Sequence, residues 1–198
     1  MDGKIPKTKI YTRKGDEGTT SDYHQERRIM KSAPIFNVIG TLDELQAYIG
    51  LAKEYILPVD KDSAHTIYHF LENIQKSLME VGFFLSTFQG TKASFDLKLE
   101  EPILDMEKSI DELEDESCKG LHLVIPSGGQ ASTHLYVART ICRRFERILL
   151  KYLLDTQGPM YLKIEGVPFT LQYVNRLGDY LLVIAKYLAG GSEIFYNP

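Results

Sequence analysis

Five long segments of this chain repeat their apolar residues at steps of three and four, and almost nothing alternates with period two. That pattern restricts the fold more than any other feature, because each segment must bury one stripe of a helix. Over 35–57, Ile35, Val38, Leu42, Leu45, Ile49 and Ala52 share a face, and Pro58 ends the run. Over 62–88, Ile67, Leu71, Ile74, Leu78, Val81 and Leu85 keep a strict four-three step. Leu99, Ile103, Met106, Ile110 and Leu113 stripe 98–117. Leu135, Ala138, Cys142, Phe145, Leu149 and Tyr152 stripe 131–153, before the Gln157-Gly158-Pro159 break. Val174, Leu177, Leu181, Ile184 and Leu188 stripe 168–189, which Gly190-Gly191 closes. Seven-residue spacing suits near-antiparallel packing, so the expected fold is an all-α, five-helix bundle. Val124-Ile125 is too short to count as a sheet.

The bundle takes residues 34–198. Residues 1–33 are polar and aperiodic, an ordered loop or flexible arm on a single domain. Charge is uneven along the chain. Residues 1–31 hold eight Lys/Arg against five Asp/Glu, whereas 96–116 hold ten Asp/Glu against two Lys. The basic end is a candidate anion site, and the acidic stretch is a solvated helix face. A net charge of −4 argues against general nucleic-acid or anionic-membrane binding. No apolar run reaches a membrane span, and the N-terminus has neither a signal core nor an acid-poor presequence. Cys118 and Cys142 lack metal spacing, so reduced thiols inside a cell are expected.

Beside the stripe of the fourth segment runs a row of guanidinium groups, Arg139, Arg143 and Arg147 at i, i+4 and i+8, with Glu146 on the same side and Arg144 pointing elsewhere. A lone helix with such a row is ordinarily a solvated face. Other motifs bear on that reading. Tyr11-Thr12-Arg13-Lys14-Gly15-Asp16-Glu17-Gly18-Thr19-Thr20 combines two glycines that can turn N–H groups inward, three threonine hydroxyls and two cations. Arg27, Arg28 and Lys31 follow. This suits a polyphosphate, although no Walker A signature is present. Gly40 in Gly40-Thr41-Leu42-Asp43-Glu44 suggests close approach by a helix or ligand. Pro126-Ser127-Gly128-Gly129 reads as a turn plus N-cap before the arginine segment. Asn175, Arg176 and Asp179 cluster on the last segment, where Gly178 again suggests tight packing. Metal readings are weak. His65 and His69 stand at i,i+4 without a zincin glutamate, and no Glu-x-x-His exists for a di-iron bundle. His122 and His134 read as packing or capping residues.

IYTRKGDEGTTS, GTLDELQAYIG, VIPSGGQAS, ARTICRRFER and NRLGDYLLVIA, in this order over about residues 9–189, resemble the PduO-type ATP:cob(I)alamin adenosyltransferases. The resemblance implies a ferritin-like up-and-down bundle assembled as a homotrimer, with each active site between two subunits. It implies ATP with Mg²⁺ carried by the nucleotide rather than by dedicated protein ligands, and a corrinoid in an adjoining apolar pocket. Cobalt(I) would attack C5′ of ATP, releasing tripolyphosphate and forming adenosylcobalamin.

Carried onto this sequence, the ATP loop is Thr12, Gly15, Asp16, Gly18, Thr19 and Thr20, with Arg13 beside them. Arg27 and Lys31 match basic positions near the phosphates. Asp43 and Arg139 match an intersubunit salt bridge. Arg143, Glu146 and Asn175 match residues around the nucleotide, and Arg139, Arg143, Glu146 and Asp43 form the implied catalytic set. Leu123, Asn175 and Arg176 fall at the corrinoid. Leu123 stands where many members have a Phe that keeps the lower base off cobalt. A nucleophile as strong as cobalt(I) needs no general base, which fits the lack of a Ser-His-Asp or Cys-His arrangement. Implied partners are further copies of the chain, a corrinoid reductase and an adenosylcobalamin-dependent enzyme. The expected location is the cytoplasm, or the mitochondrial matrix in a eukaryote. A non-catalytic ATP- and corrinoid-binding escort and an ATP-sensing helical oligomer are the alternatives.

Overall fold

In the computed structural model the described residues are 11, 13–21, 27–59, 63–87, 96–117 and 124–196, with backbone only for 115–117. Five long helices dominate, joined by two small antiparallel strand pairs. They are α1 (Pro34–Glu54), α2 (Ala64–Thr87), α3 (Glu100–Ser117), α4 (Gly129–Gln157) and α5 (Val167–Ala189).

The predicted stripes form the core, with Ile110 and Tyr152 partly buried at its edge. Val38, Leu42, Leu45 and Ile49 of α1, Leu71 and Leu78 of α2, Leu135, Phe145 and Leu149 of α4, and Leu177, Leu181 and Ile184 of α5 are at most 1% exposed. Each such side chain contributes roughly 1.5–3 kcal/mol of burial. Ile35 is only partly buried, because α1 begins beside it at Pro34. α4 lies centrally, packed on α1 on one side and α5 on the other. α3 covers α5, and α2 covers α1. Hence the arginine row borders the two helices that carry the other motifs, Asp43–Glu44 on α1 and Asn175–Asp179 on α5.

Local chemistry explains the ends. Pro34 opens α1, where its missing N–H costs nothing. Glu100 and Glu101 fill the first turn of α3, opposite the positive helix end. Gly190, left-handed at φ 60°, closes α5 by donating its N–H to Lys186 and Tyr187 carbonyls. α4 runs four residues beyond the predicted 153. Its stripe fades there, but nothing breaks the backbone ladder until Gly158, which caps it at φ 58° and starts a 3₁₀ turn, Gly158–Lys163.

Two expectations change. The N-terminal arm contains a hairpin, β1 (Thr19–Ser21) with β2 (Arg28–Met30), in the register Thr19↔Met30 and Ser21↔Arg28. Three-residue strands are too short to show alternation. Val124–Ile125 is also a strand, β3, because it finds β4 (Ile194–Phe195) some seventy residues later. A pairing that distant leaves no local signal.

Candidate functional site

The structure gathers the singled-out residues into two clusters. The first is the N-terminal loop and its hairpin. Asp16 N–H donates to the Arg13 carbonyl at 3.4 Å, Gly18 N–H to Gly15 at 3.3 Å and Lys31 N–H to Gly18 at 2.9 Å. Gly18 sits at φ 76°, as a tight turn requires. Arg13 is left-handed too, at φ 60°, the single non-glycine so placed among the described residues, at a cost of roughly 1–2 kcal/mol. Its guanidinium lies over the Tyr11 ring, 5.6 Å from the centroid. Lys31 Nζ donates to the Gly15 carbonyl at 2.9 Å.

Arg28 is the hub of this cluster, although the sequence offers it merely as one cation among several. Its Nε donates to Thr19 Oγ1 at 3.2 Å and its Nη1 to Ser21 Oγ at 3.1 Å. Its Nη2 reaches the Thr19 carbonyl at 2.9 Å, Thr19 Oγ1 at 2.8 Å, and the Lys14 carbonyl. Arg13, Lys14, Asp16, Glu17, Ser21 and Arg28 line an open recess. Thr20 lies half-buried in β1, and Arg27 is exposed at the start of the second strand. Thr12 falls outside the described residues.

The second cluster lies on α4, α1 and α5. Asn175 Nδ2 donates to Glu146 Oε1 at 3.2 Å, joining the last helix to the arginine helix. Arg143 is exposed, and its stem lies over Gly178, where an added Cβ would stand 3.9 Å from Arg143 Cγ. That is ordinary contact, looser than the tight packing expected of Gly178. Arg147 Nη1 donates to the Arg143 carbonyl at 3.0 Å. Arg139 is half-buried, and its Nε is sealed from solvent with no hydrogen-bond partner among the described residues. Asp43 is exposed on α1 and joins no ion pair among them. Its neighbour Glu44 instead pairs with Arg144, the arginine set apart from the row. At 44% exposure on both sides this clasp is worth at most about 1 kcal/mol.

Arg176 faces another way. Its Nε meets Glu107 Oε1 of α3 and its Nη1 meets Asp179 Oδ2, both at 3.0 Å. The structure therefore separates Arg176 from the Asn175–Glu146 contact, by one residue's rotation around α5. Gly40 is exposed, and a Cβ there would touch nothing among the described residues, so none of the described elements makes the expected close approach. Cys142 is core. Its Sγ donates to the Val174 carbonyl at 3.3 Å, and burial, reinforced by Glu146, pushes the thiol up to about 12. His134 stacks on Tyr55 with ring centroids 4.8 Å apart, a packing role.

The loop before α4 is fastened differently from a side-chain N-cap. Gly128 occupies the cap, left-handed and without a capping side chain. Ser127 Oγ instead donates to the Ile125 carbonyl at 2.7 Å and accepts from Ile194 N–H at 2.9 Å, stitching β3 to β4. Ser132 Oγ donates back to the Ser127 carbonyl at 2.8 Å. Leu123 lies outside the described residues.

The described residues thus set a glycine-turn loop rich in cations and an arginine-carboxylate-amide row on one helical scaffold. The match to known proteins is specific. Residues 10–188 fit the cobalamin adenosyltransferase family, and the chain belongs to it. It is 35% identical over 202 residues to the corrinoid adenosyltransferase MMAB of Bos taurus, covering 98% of this chain and 78% of that protein. It is 31% identical over 188 residues to the corrinoid adenosyltransferase of Bacillus subtilis, covering 94% and 89%. Among solved structures, a variant PduO-type ATP:corrinoid adenosyltransferase from Lactobacillus reuteri, complexed with cobalamin and ATP, superposes with a TM-score of 0.78 at 27% identity, covering 96% of this chain and all of that one.

Proposed function

We infer that the protein is a transferase that moves the 5′-deoxyadenosyl group of ATP to the cobalt of a corrinoid. The observation that carries this is the family match from residue 10 to 188, which spans both residue clusters in one chain. In the reaction the C5′–O bond of ATP breaks, a cobalt–carbon bond forms with the electron pair of cobalt(I), and tripolyphosphate leaves.

The residues divide the work by charge. The loop of Thr12, Arg13, Gly15, Asp16, Gly18, Thr19 and Thr20 holds the triphosphate, with Arg27 and Lys31 beside it. Among the described residues, the N–H groups of Lys14, Gly15 and Glu17 donate to no backbone carbonyl, which supports an anion nest. Arg143 stabilises the charge that grows on the departing phosphates. Glu146 and Asn175 orient the nucleoside as a hydrogen-bonded pair. Mg²⁺ arrives carried on ATP rather than on dedicated protein ligands. Bound there, it would offset phosphate charge. Leu123 and Arg176 belong to the corrinoid side, where leucine excludes water but cannot stack as a ring does.

Three copies form a ferritin-like trimer with sites between subunits. Among the described residues Arg139 Nε has no hydrogen-bond partner and Asp43 no ion pair, which supports this, since each would complete the other across an interface. No helix of the described residues is long and apolar enough to cross a membrane. The cytoplasm or a mitochondrial matrix would supply ATP, a corrinoid reductase and an enzyme that uses the product. Anaerobic incubation with ATP, Mg²⁺ and chemically reduced cobalamin should give the adenosylcobalamin spectrum. Binding of both ligands with no turnover would replace this reading with the escort protein.

A further inference from the structure

We propose that Arg28 is a positioning residue that shapes the nucleotide loop before ATP arrives; the proposal rests on the loop being the ATP site. Three features of its environment carry it. First, its three nitrogens reach oxygens in three residues, Lys14, Thr19 and Ser21, that lie on both sides of the Gly15–Gly18 turn. A planar fork can hold several acceptors at fixed angles, whereas a lysine ammonium is a single point on a flexible stem. Second, every acceptor is a carbonyl or hydroxyl. Arg28 forms no ion pair among the described residues, so its hydrogen bonds organise the loop while its charge stays unneutralised. Third, the carbonyls of Lys14 and Thr19 point at Arg28 and that of Gly15 points at Lys31. A peptide whose carbonyl is fixed toward a cation presents its N–H to the opposite side. Of the peptides so held, that of Lys14 and Gly15 leaves its N–H donating to no backbone carbonyl among the described residues, whereas the Asp16 N–H donates to the Arg13 carbonyl. Arg28 itself lines the recess with Arg13, Lys14, Asp16, Glu17 and Ser21.

The consequence differs from that of a phosphate ligand. A side chain that only touches ATP leaves the free protein unchanged when removed. A side chain that shapes the loop alters the free protein first, and ATP binding through it.

The test uses the full chain as wild type, Arg28→Ala and Arg28→Lys. Amide hydrogen exchange without nucleotide should be about tenfold faster or more over residues 13–21 in both variants, with α4 protection unchanged as the folding control. In steady state the KM for ATP should rise roughly ten- to hundredfold in Arg28→Ala. The KM for the corrinoid should stay within about twofold. Millimolar methylguanidinium should restore part of the ATP affinity to Arg28→Ala. Unchanged loop exchange in nucleotide-free Arg28→Ala overturns the positioning role, whatever happens to KM. An Arg28→Lys protein equal to wild type in both readouts also overturns it, since the fork would be dispensable. Faster loop exchange with an unaltered ATP KM would keep the clamp but remove the loop from the nucleotide site, so the functional reading fails separately.

Discussion

Gly128→Ala tests how the arginine helix is anchored, and the structure sets its size. Gly128 is left-handed at φ 97°, and its new Cβ would stand 2.3 Å from Ala189 Cβ and 3.1 Å from Ala189 Cα. The φ strain costs roughly 1–2 kcal/mol. The clash cannot be relieved by rotating a side chain, because both contacts are to Cβ and backbone, so overpacking adds about 1–3 kcal/mol. The sum is roughly 2–5 kcal/mol. Gly129 is the internal control. It has φ 93°, but a Cβ there meets nothing within 4 Å. Gly129→Ala should therefore show the strain alone, about 1–2 kcal/mol. Urea unfolding followed by circular dichroism, at one fixed protein concentration, measures both. Ala189→Gly in the Gly128→Ala background removes the 2.3 Å contact and should recover most of the clash share, leaving the strain and the 3.1 Å approach to the Cα of residue 189. If Gly128→Ala is no worse than Gly129→Ala, the loop is not pinned against the end of α5, and the reasoning fails.

Arg143→Ala, exposed and outside the core stripe, should fold normally and lose about 10- to 150-fold in kcat/KM, the equivalent of ~1.5–3 kcal/mol for a charge-assisted contact; wild-type turnover in a folded variant would return the row to a solvated face. Arg139→Ala should weaken the oligomer by ~3–5 kcal/mol by stranding Asp43, and adding Asp43→Asn should recover part of that. Sedimentation that finds the two changes simply additive would uncouple the pair. The Cys142 thiol should resist thiol reagents in the native protein at pH 8 and react on unfolding. Because its folded value, about 12, exceeds the ordinary 9.0, the native state holds its proton longer. Stability is therefore full below pH 9 and falls above it, by up to about 1.4 kcal/mol per pH unit for that proton. Cys142→Ala should flatten that fall, as read from urea titrations between pH 8 and 11.

The sequence alone determined what depends on local periodicity and local breakers. Helical stripes state which face is buried, so Leu42, Leu78, Phe145 and Leu181 were identifiable as core without a partner in view. Gly158 and Gly190 act on the backbone within a turn or two, so they limited the last two long helices from the sequence outward. The family motifs spoke for themselves because residue type and spacing survive along the chain. What required tertiary structure was every pairing between distant residues. The Asn175–Glu146 contact spans 29 residues, and the Arg144–Glu44 clasp spans 100. The β3–β4 ladder, fastened by Ser127, joins segments about seventy residues apart. Arg28 is the clearest case. In sequence it is the second of two adjacent arginines, with nothing to separate it from Arg27. Only the hairpin register, Ser21 opposite Arg28, brings its guanidinium back across the turn. The same holds for Arg139 and Arg176, neighbours of the site by motif. Packing seals one nitrogen of Arg139 without a partner among the described residues and hands Arg176 to Glu107 of α3. A side chain's periodicity says which face it is on; which groups meet that face is fixed by how the helices pack.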